Sequence, residues 1–270
     1  MTDGSKLLVD QARPHGHLVQ LHEAGETSLV DNVAGYFAEG IMRHQGAVIV
    51  AAPNHRETFL DALKRSGTDV DAALARQQLE LVDADTLLAR FMVDGSPDAG
   101  RFDESVGAVI REARARAERR GLRVYGEMVG ELWKRRQYQS AILLERLWNT
   151  LAESVEFHLY CSYPIDLFDE HLDMGVLDEM LCTHSHMVPA GNDELLETAI
   201  ARAMSAVLGA DAKSLRPLVA DRHRHAWAAM PRGQATIFWL RESLPDTQAV
   251  ILSLARRYYR STLSSDVSRV

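Results

Sequence analysis

Glu127 is the residue best placed for chemistry. It lies in the stretch Leu122 to Leu151, LRVYGEMVGELWKRRQYQSAILLERLWNTL. Leu122, Val124 and Tyr125 make a short apolar run that Gly126-Glu127-Met128 ends, and a 3.6-residue pattern follows at Leu144, Leu147, Trp148 and Leu151. A carboxylate at the C-terminal end of a strand sits where α/β sheets keep their ligands. It could serve as a catalytic acid or base or anchor a bound molecule; the plainer alternatives are a solvated loop carboxylate or a partner of the helix dipole. Met128, Trp133, Cys161 and Tyr163 could wall an apolar pocket around it, with His22, Thr27 and His184 as further ligand-binding candidates. The same aromatic and thioether groups would also suit an ordinary core.

The segment Gln20 to Thr27, QLHEAGET, stands where a phosphate-binding GxxxxGK[ST] loop would follow the first strand. Glu26 replaces the lysine and Gln20 the first glycine, and a carboxylate there repels the phosphates that the lysine would meet. Glu23 and Glu26 also occupy the positive end of the following helix. The run ending at Ala52 passes into Pro53-Asn54-His55, with no carboxylate to activate water. No nucleotide, other cofactor or catalytic residue is therefore expected. An atypical NTPase using His55 or Glu127 is one alternative, and a pure interaction regulator binding a protein through Trp227 to Leu254 is another.

Cys182, His184 and His186 alternate, so an extended segment would carry all three on one face, and thiolate with imidazole suits zinc. A complete site would need Cys161 or His171 as well. Polar residues at a sheet edge explain the group more simply, so no metal is expected. His223 and His225 read as a solvated face, and no GxSxG nucleophile is present.

These residues need a scaffold. Candidate strands are His17–His22, Gly46–Ala52, Leu79–Asp83, Leu122–Tyr125 and Glu156–Cys161, and helical patterns alternate with them. Ser28 with Asp31 resembles a capping box at the start of the first helix, and Ala84–Phe91 reads as a short helix. Residues 93–100 carry dense turn chemistry and are expected to be an exposed loop. Asp166 to Met180 is expected to be helical. The pattern predicts an α/β fold with a mostly parallel sheet flanked by helices over residues 15–190. The ligand edge would be formed by the turns after His22, Ala52, Tyr125 and Cys161. A small helical C-terminal extension over 191–263 would begin at a helix capped by Asn192. Residues 1–14 are expected to form a loose arm.

A formal charge of −8 gives no long-range pull towards nucleic acid or anionic membrane. Two cysteines in no paired pattern, and no apolar leader, point to the cytoplasm. The expected partners are a small organic ligand and a protein partner or second copy.

The pieces HLVQLHEAGETSLVDNVAGYFAEGI, GAVIVAAPNHRETFLDAL, FMVDGSPD, GEMVGELW, LERLWN and CSY, in that order, resemble the MEDS domain, the methanogen and methylotroph sensory domain named with the dichloromethane regulator DcmR. The resemblance covers roughly His15 to Pro189. It implies a degenerate relative of RecA- and KaiC-type ATPases, a RecA-like sheet, and a role in sensing small molecules such as hydrocarbon derivatives within signalling or transcription regulation. Such domains are usually joined to kinase or DNA-binding output domains. No histidine-kinase motif or clear helix-turn-helix follows residue 190, so the expected output is a partner protein or self-association.

Overall fold

Strands that are apolar on both faces require helices above and below them, and the chain supplies both layers. The computed structural model describes residues 16–23, 27–169, 171–189, 191, 193–212, 215 and 230–267. The N-terminal arm, Glu26, Asn192, His223, His225 and Trp227 lie outside the described residues.

In chain order the strands are β1 (His17–His22), β2 (Gly46–Ala51), β3 (Leu79–Asp83), β4 (Met92–Val93), β5 (Ser96–Pro97), β6 (Leu122–Gly126), β7 (His158–Pro164) and β8 (His186–Val188). Six of them form one all-parallel sheet in the order β3-β2-β6-β7-β1-β8, and β4 pairs with β5 as an antiparallel hairpin. One face is covered by α1 (Thr27–Met42), α2 (Pro53–Arg65) and α3 (Val70–Ala75). Leu18, Ile49, Tyr125 and Tyr160 meet Val33, Phe37, Phe59 and Leu63 there.

The other face carries α4 (Ala84–Phe91) and α5 (Ala99–Phe102), which runs through the π-helical turn Asp103–Gly107 into α6 (Ala108–Ala117). Then come α7 (Met128–Lys134), α8 (Tyr138–Ser154) and α9 (Met174–Leu181). Val19, Val48, Val124 and Leu159 meet Leu88, Ile110, Leu132 and Trp148 on this side. Three further helices, α10 (Asp193–Leu208), α11 (Arg232–Ser243) and α12 (Gln248–Val267), continue the same apolar cluster through Ile200, Phe238 and Ile251. The expected α/β class with C-terminal helices is the fold observed. Period-two alternation sorts each strand's side chains between the two cores.

Several local expectations are corrected. The fifth expected strand starts at His158 and continues past Cys161 to Pro164, so no turn follows Cys161. β8 is a sixth strand that the pattern did not give. Residues 93–100 are not a plain loop: Asp94 and Gly95, at φ 49° and 81°, close the β4–β5 hairpin, as a two-residue turn with both residues left-handed does. Asp166 bends the chain instead of starting a helix, accepting the Phe168 N–H at 2.9 Å. Helix begins only at Met174, where Asp173 accepts the N–H groups of Gly175 and Val176. α1 starts at Thr27, so Ser28 lies inside its first turn, where its hydroxyl accepts from Gln20 Nε2 at 3.4 Å. The helix after Glu127 comes in two pieces, separated at Arg135–Gln137, with Arg136 at φ 58°.

Candidate functional site

The chain leaves β2 towards α2 on one face and leaves β6 towards α7 on the other. Neighbouring strands whose connections part in this way open a crevice at their carboxyl ends. Glu127 sits in it. Its backbone N–H donates to Val50 O at 2.9 Å, and its Oε2 accepts from Ala52 N, the residue before α2, at 2.9 Å. Its Oε1 lies 2.5 Å from Nδ1 of His55 and 3.7 Å from Nζ of Lys134.

Glu127 is only 3% exposed, whereas His55 is half-buried. The hydrogen bond to Glu127 raises the His55 pKa above its usual value, against the opposing effect of burial. Burial pushes the Glu127 carboxyl up, but His55, the Ala52 N–H and Lys134 together outweigh it and hold the pKa below the usual range. His22, at the end of β1, is lowered chiefly by burial, although its hydrogen bond to the Glu23 carbonyl at 3.2 Å opposes this. The crevice therefore holds a buried carboxylate hydrogen-bonded to a half-buried imidazole, each favouring the charged form of the other.

The sign of the pH dependence follows. The stabilisation credited to Glu127, whose folded pKa is lowered, is present above its unfolded pKa and lost as pH falls through the folded one. The His55 contribution, whose folded pKa is raised, is present below its unfolded pKa and lost as pH rises through the folded one. The stability difference between the wild type and His55→Gln is expected to be largest between about pH 4.3 and 6.5 and to shrink on both sides. Urea unfolding across pH reads it, and a difference that does not vary with pH would count against the pairing.

α7 follows Glu127 directly and is held against β7 at Gly130, where an added Cβ would come within 2.6 Å of the Ser162 carbonyl oxygen. Gly130→Ala is expected to cost about 1–3 kcal/mol. Urea unfolding tests it, a loss below about 0.5 kcal/mol showing that α7 can shift. Met128, the first residue of this helix, is fully buried. Trp133 is partly buried, its ring 5.3 Å from that of Tyr163 and 4.6 Å from that of Tyr138.

A second constellation lies between the sheet and α8. His17 opens β1, Cys161 is in β7, Glu145 is on α8 and His184 lies in the turn after α9; all four are buried, with their donor atoms within 4.8 Å of one another. His17 Nε2 is 3.2 Å from Glu145 Oε2 and 3.4 Å from Cys161 Sγ. Cys161 Sγ is 3.5 Å from Glu145 Oε2, and His184 Nε2 is 3.1 Å from Glu145 Oε1. The Tyr163 hydroxyl donates to Glu145 Oε1 at 2.6 Å. Burial pushes the Glu145 carboxyl up, but the two histidines reverse this and hold it far below the usual range. Burial, reinforced by Glu145, raises the Cys161 thiol.

The expected residues thus fall into two groups. Glu127 and His22 are at the crevice, with Met128 buried at the start of α7 and Trp133 against Tyr163. Cys161, His184 and the Tyr163 hydroxyl have their contacts at Glu145. Thr27 begins α1. Of the trio Cys182, His184 and His186, only His184 joins the cluster: Cys182 is exposed at the end of α9, and His186 starts the edge strand β8. His55, Lys134, His17 and Glu145 were not anticipated as partners. Glu145 lies on the same buried helical stripe as Ile142 and Trp148, a place that a charged residue ordinarily avoids.

Among the described residues, no helix is long and apolar enough to cross a membrane. No curated protein matches the chain. Residues 17–185, which hold both polar clusters and every strand of the parallel sheet except β8, match the model of the MEthanogen/methylotroph, DcmR Sensory domain (MEDS), and the chain belongs to this family.

Proposed function

We propose that the chain is a non-catalytic sensor that takes up a small organic molecule at the crevice between β2 and β6. The observation that carries this reading is the buried Glu127 carboxylate held against the half-exposed His55. Protonated and anchored through Nδ1, His55 offers its second N–H to a carbonyl, hydroxyl or carboxylate oxygen of a ligand. Trp133, partly buried on the helix that follows Glu127, is the candidate apolar wall, and membership in a sensory family fits the role. The scaffold is read as a RecA-like sheet that binds where its relatives hydrolyse. In support, Gln20, standing where a phosphate loop would have its first glycine, is fully buried inside β1 and engaged by Tyr160 and Asn32. The free thiols Cys161 and Cys182 suit a reducing cytoplasm. The helices from residue 191 onward would report occupancy by contacting a protein partner or a second copy.

Thermal shift with short-chain alcohols, aldehydes and carboxylates, and with Mg-ATP, tests the reading on the wild type and on Glu127→Gln. A ligand at 100 times its Kd stabilises by about 2.7 kcal/mol, or roughly 5–11 °C in a chain of this size. The shift is expected with an organic ligand and is expected to be lost in Glu127→Gln. Stabilisation by Mg-ATP alone would overturn the proposal in favour of an atypical NTPase.

A further inference from the structure

We propose that His17, Glu145, Cys161 and His184 form a four-ligand site for a zinc-class divalent cation, enclosed between the sheet and α8. The site is separate from the crevice at Glu127 and does not depend on the ligand proposed there.

The donor set is the first argument. Two imidazoles, a thiol and a carboxylate are the groups that zinc takes in tetrahedral coordination. Spacing is the second. The three contacts among His17 Nε2, Glu145 Oε2 and Cys161 Sγ, from 3.2 to 3.5 Å, match the ligand-to-ligand edges of about 3.3–3.6 Å imposed by bonds near 2.0–2.3 Å, while His184 Nε2 meets the other carboxylate oxygen at 3.1 Å and completes a donor set that lies within 4.8 Å.

The orientation of the rings is the third. His184 Nδ1 is 3.0 Å from the Met180 carbonyl oxygen, so that nitrogen carries the hydrogen. His17 Nδ1 is 2.9 Å from Asn149 Oδ1. The Asn149 amide is itself oriented, because its Nδ2 donates to Thr183 O at 2.8 Å. Both histidines are thereby pinned with Nε2 aimed inward, which is how outer hydrogen bonds orient ligating imidazoles. In the neutral tautomer, two lone pairs then face a carboxylate and a sulfur, an arrangement that a cation resolves. Although His184 Nε2 lies 3.1 Å from the carboxylate, among the described residues it makes no hydrogen bond, and its side chain is fully buried. Its ring nitrogen is thus aimed into the cluster and not engaged as a hydrogen-bond donor.

Charge balance is consistent with this. A divalent cation offsets one thiolate and one carboxylate, leaving a buried centre without net charge, and the Cys161 thiol proton leaves to solvent as the sulfur binds. A cavity of about 170 Å³ lined by His17, Trp148, Asn149 and Phe157 reaches the histidine side of the cluster and provides a way in. The four ligands come from β1, α8, β7 and the turn leading into β8. Ser185, next to His184, is already tied to His17 by its N–H and its hydroxyl, at 2.8 and 2.9 Å. The cation would therefore fasten the edge strand, and the chain leading to the C-terminal helices, onto the sheet.

The test uses the full chain stripped with a chelator and titrated with Co(II). Expected are saturation at one equivalent, the visible bands of tetrahedral cobalt, a thiolate-to-cobalt charge-transfer band, and displacement by zinc. Because Cys182 is exposed and not among the clustered donors, Cys182→Ser is expected to keep the charge-transfer band, which assigns the thiolate to Cys161 even if Cys161→Ser fails to fold. A folded Cys161→Ser is expected to lose it. Asn149→Ala is expected to keep the band while binding about 10- to 100-fold more weakly. Absence of cobalt uptake, loss of the band in Cys182→Ser, or its survival in Cys161→Ser would overturn the proposal and leave a hydrogen-bonded charge cluster only.

Discussion

Glu145→Ala is expected to destabilise the protein by about 3–5 kcal/mol, the range for removing one member of a fully buried charged group. The carboxylate is 0% exposed and is the common partner of His17, Cys161, Tyr163 and His184. Removing it leaves the Tyr163 hydroxyl without its acceptor and the two inward-facing imidazoles without the carboxylate that both of them face. Each of these groups was desolvated on folding and would no longer be compensated. Glu145→Gln keeps the shape and one acceptor oxygen, so its loss is expected to be smaller. Tyr163→Phe removes one hydrogen bond to a charged group and is expected to cost about 1.5–3 kcal/mol. Urea unfolding of these variants, compared at a fixed metal concentration because any bound cation adds to apparent stability, decides the matter. A loss below about 1 kcal/mol for Glu145→Ala would mean that the cluster does not hold α8 to the sheet.

The scaffold of this arrangement was largely legible in the residues, because the strands it depends on are long and distinctive. GAVIVAA is apolar on both faces, and its first six residues became β2, buried at every position, while Ala52 precedes the next helix. Ala84–Phe91 became a helix between the expected bounds, with Asp83 as its cap. Glu127 was recognisable as the residue that ends a strand. Its partner His55 was not, because it comes from 72 residues earlier, and the adjacency of β2 and β6 is a property of topology that no local pattern encodes.

The cluster around Glu145 was harder still to read. Cys182, His184 and His186 share a face only if the chain is extended, yet Cys182 ends α9 and a turn follows, so the three side chains part. β8, with three residues, is too short to show a period. Glu145 lay hidden in the segment LERLWN because a charged residue within a helical repeat ordinarily faces water.

Arg123 was overlooked for the opposite reason: it sits in a strand whose other residues are apolar. It is 2% exposed at the centre of the sheet. Its guanidinium donates from Nε to Gln45 Oε1 at 2.7 Å and from Nη1 to Tyr36 O at 2.6 Å, lies 3.3 Å from Glu39 Oε2, and stacks 4.9 Å above the Tyr36 ring. Room for its stem depends on Gly40, where a Cβ would fall 2.7 Å from Arg123 Cδ. Arg123→Ala is expected to cost about 3–5 kcal/mol, since it empties the channel beside Gly40 and removes the donors at once. Arg123→Met separates the two effects. Its unbranched stem refills the channel, and Glu39 keeps a cation in Arg43 at 2.8 Å, so a loss within about 1.5 kcal/mol is expected. Urea unfolding of both variants decides between volume and charge. If Met proves as damaging as Ala, the buried guanidinium holds α1 to β6 by its hydrogen bonds, and the packing of its stem contributes little.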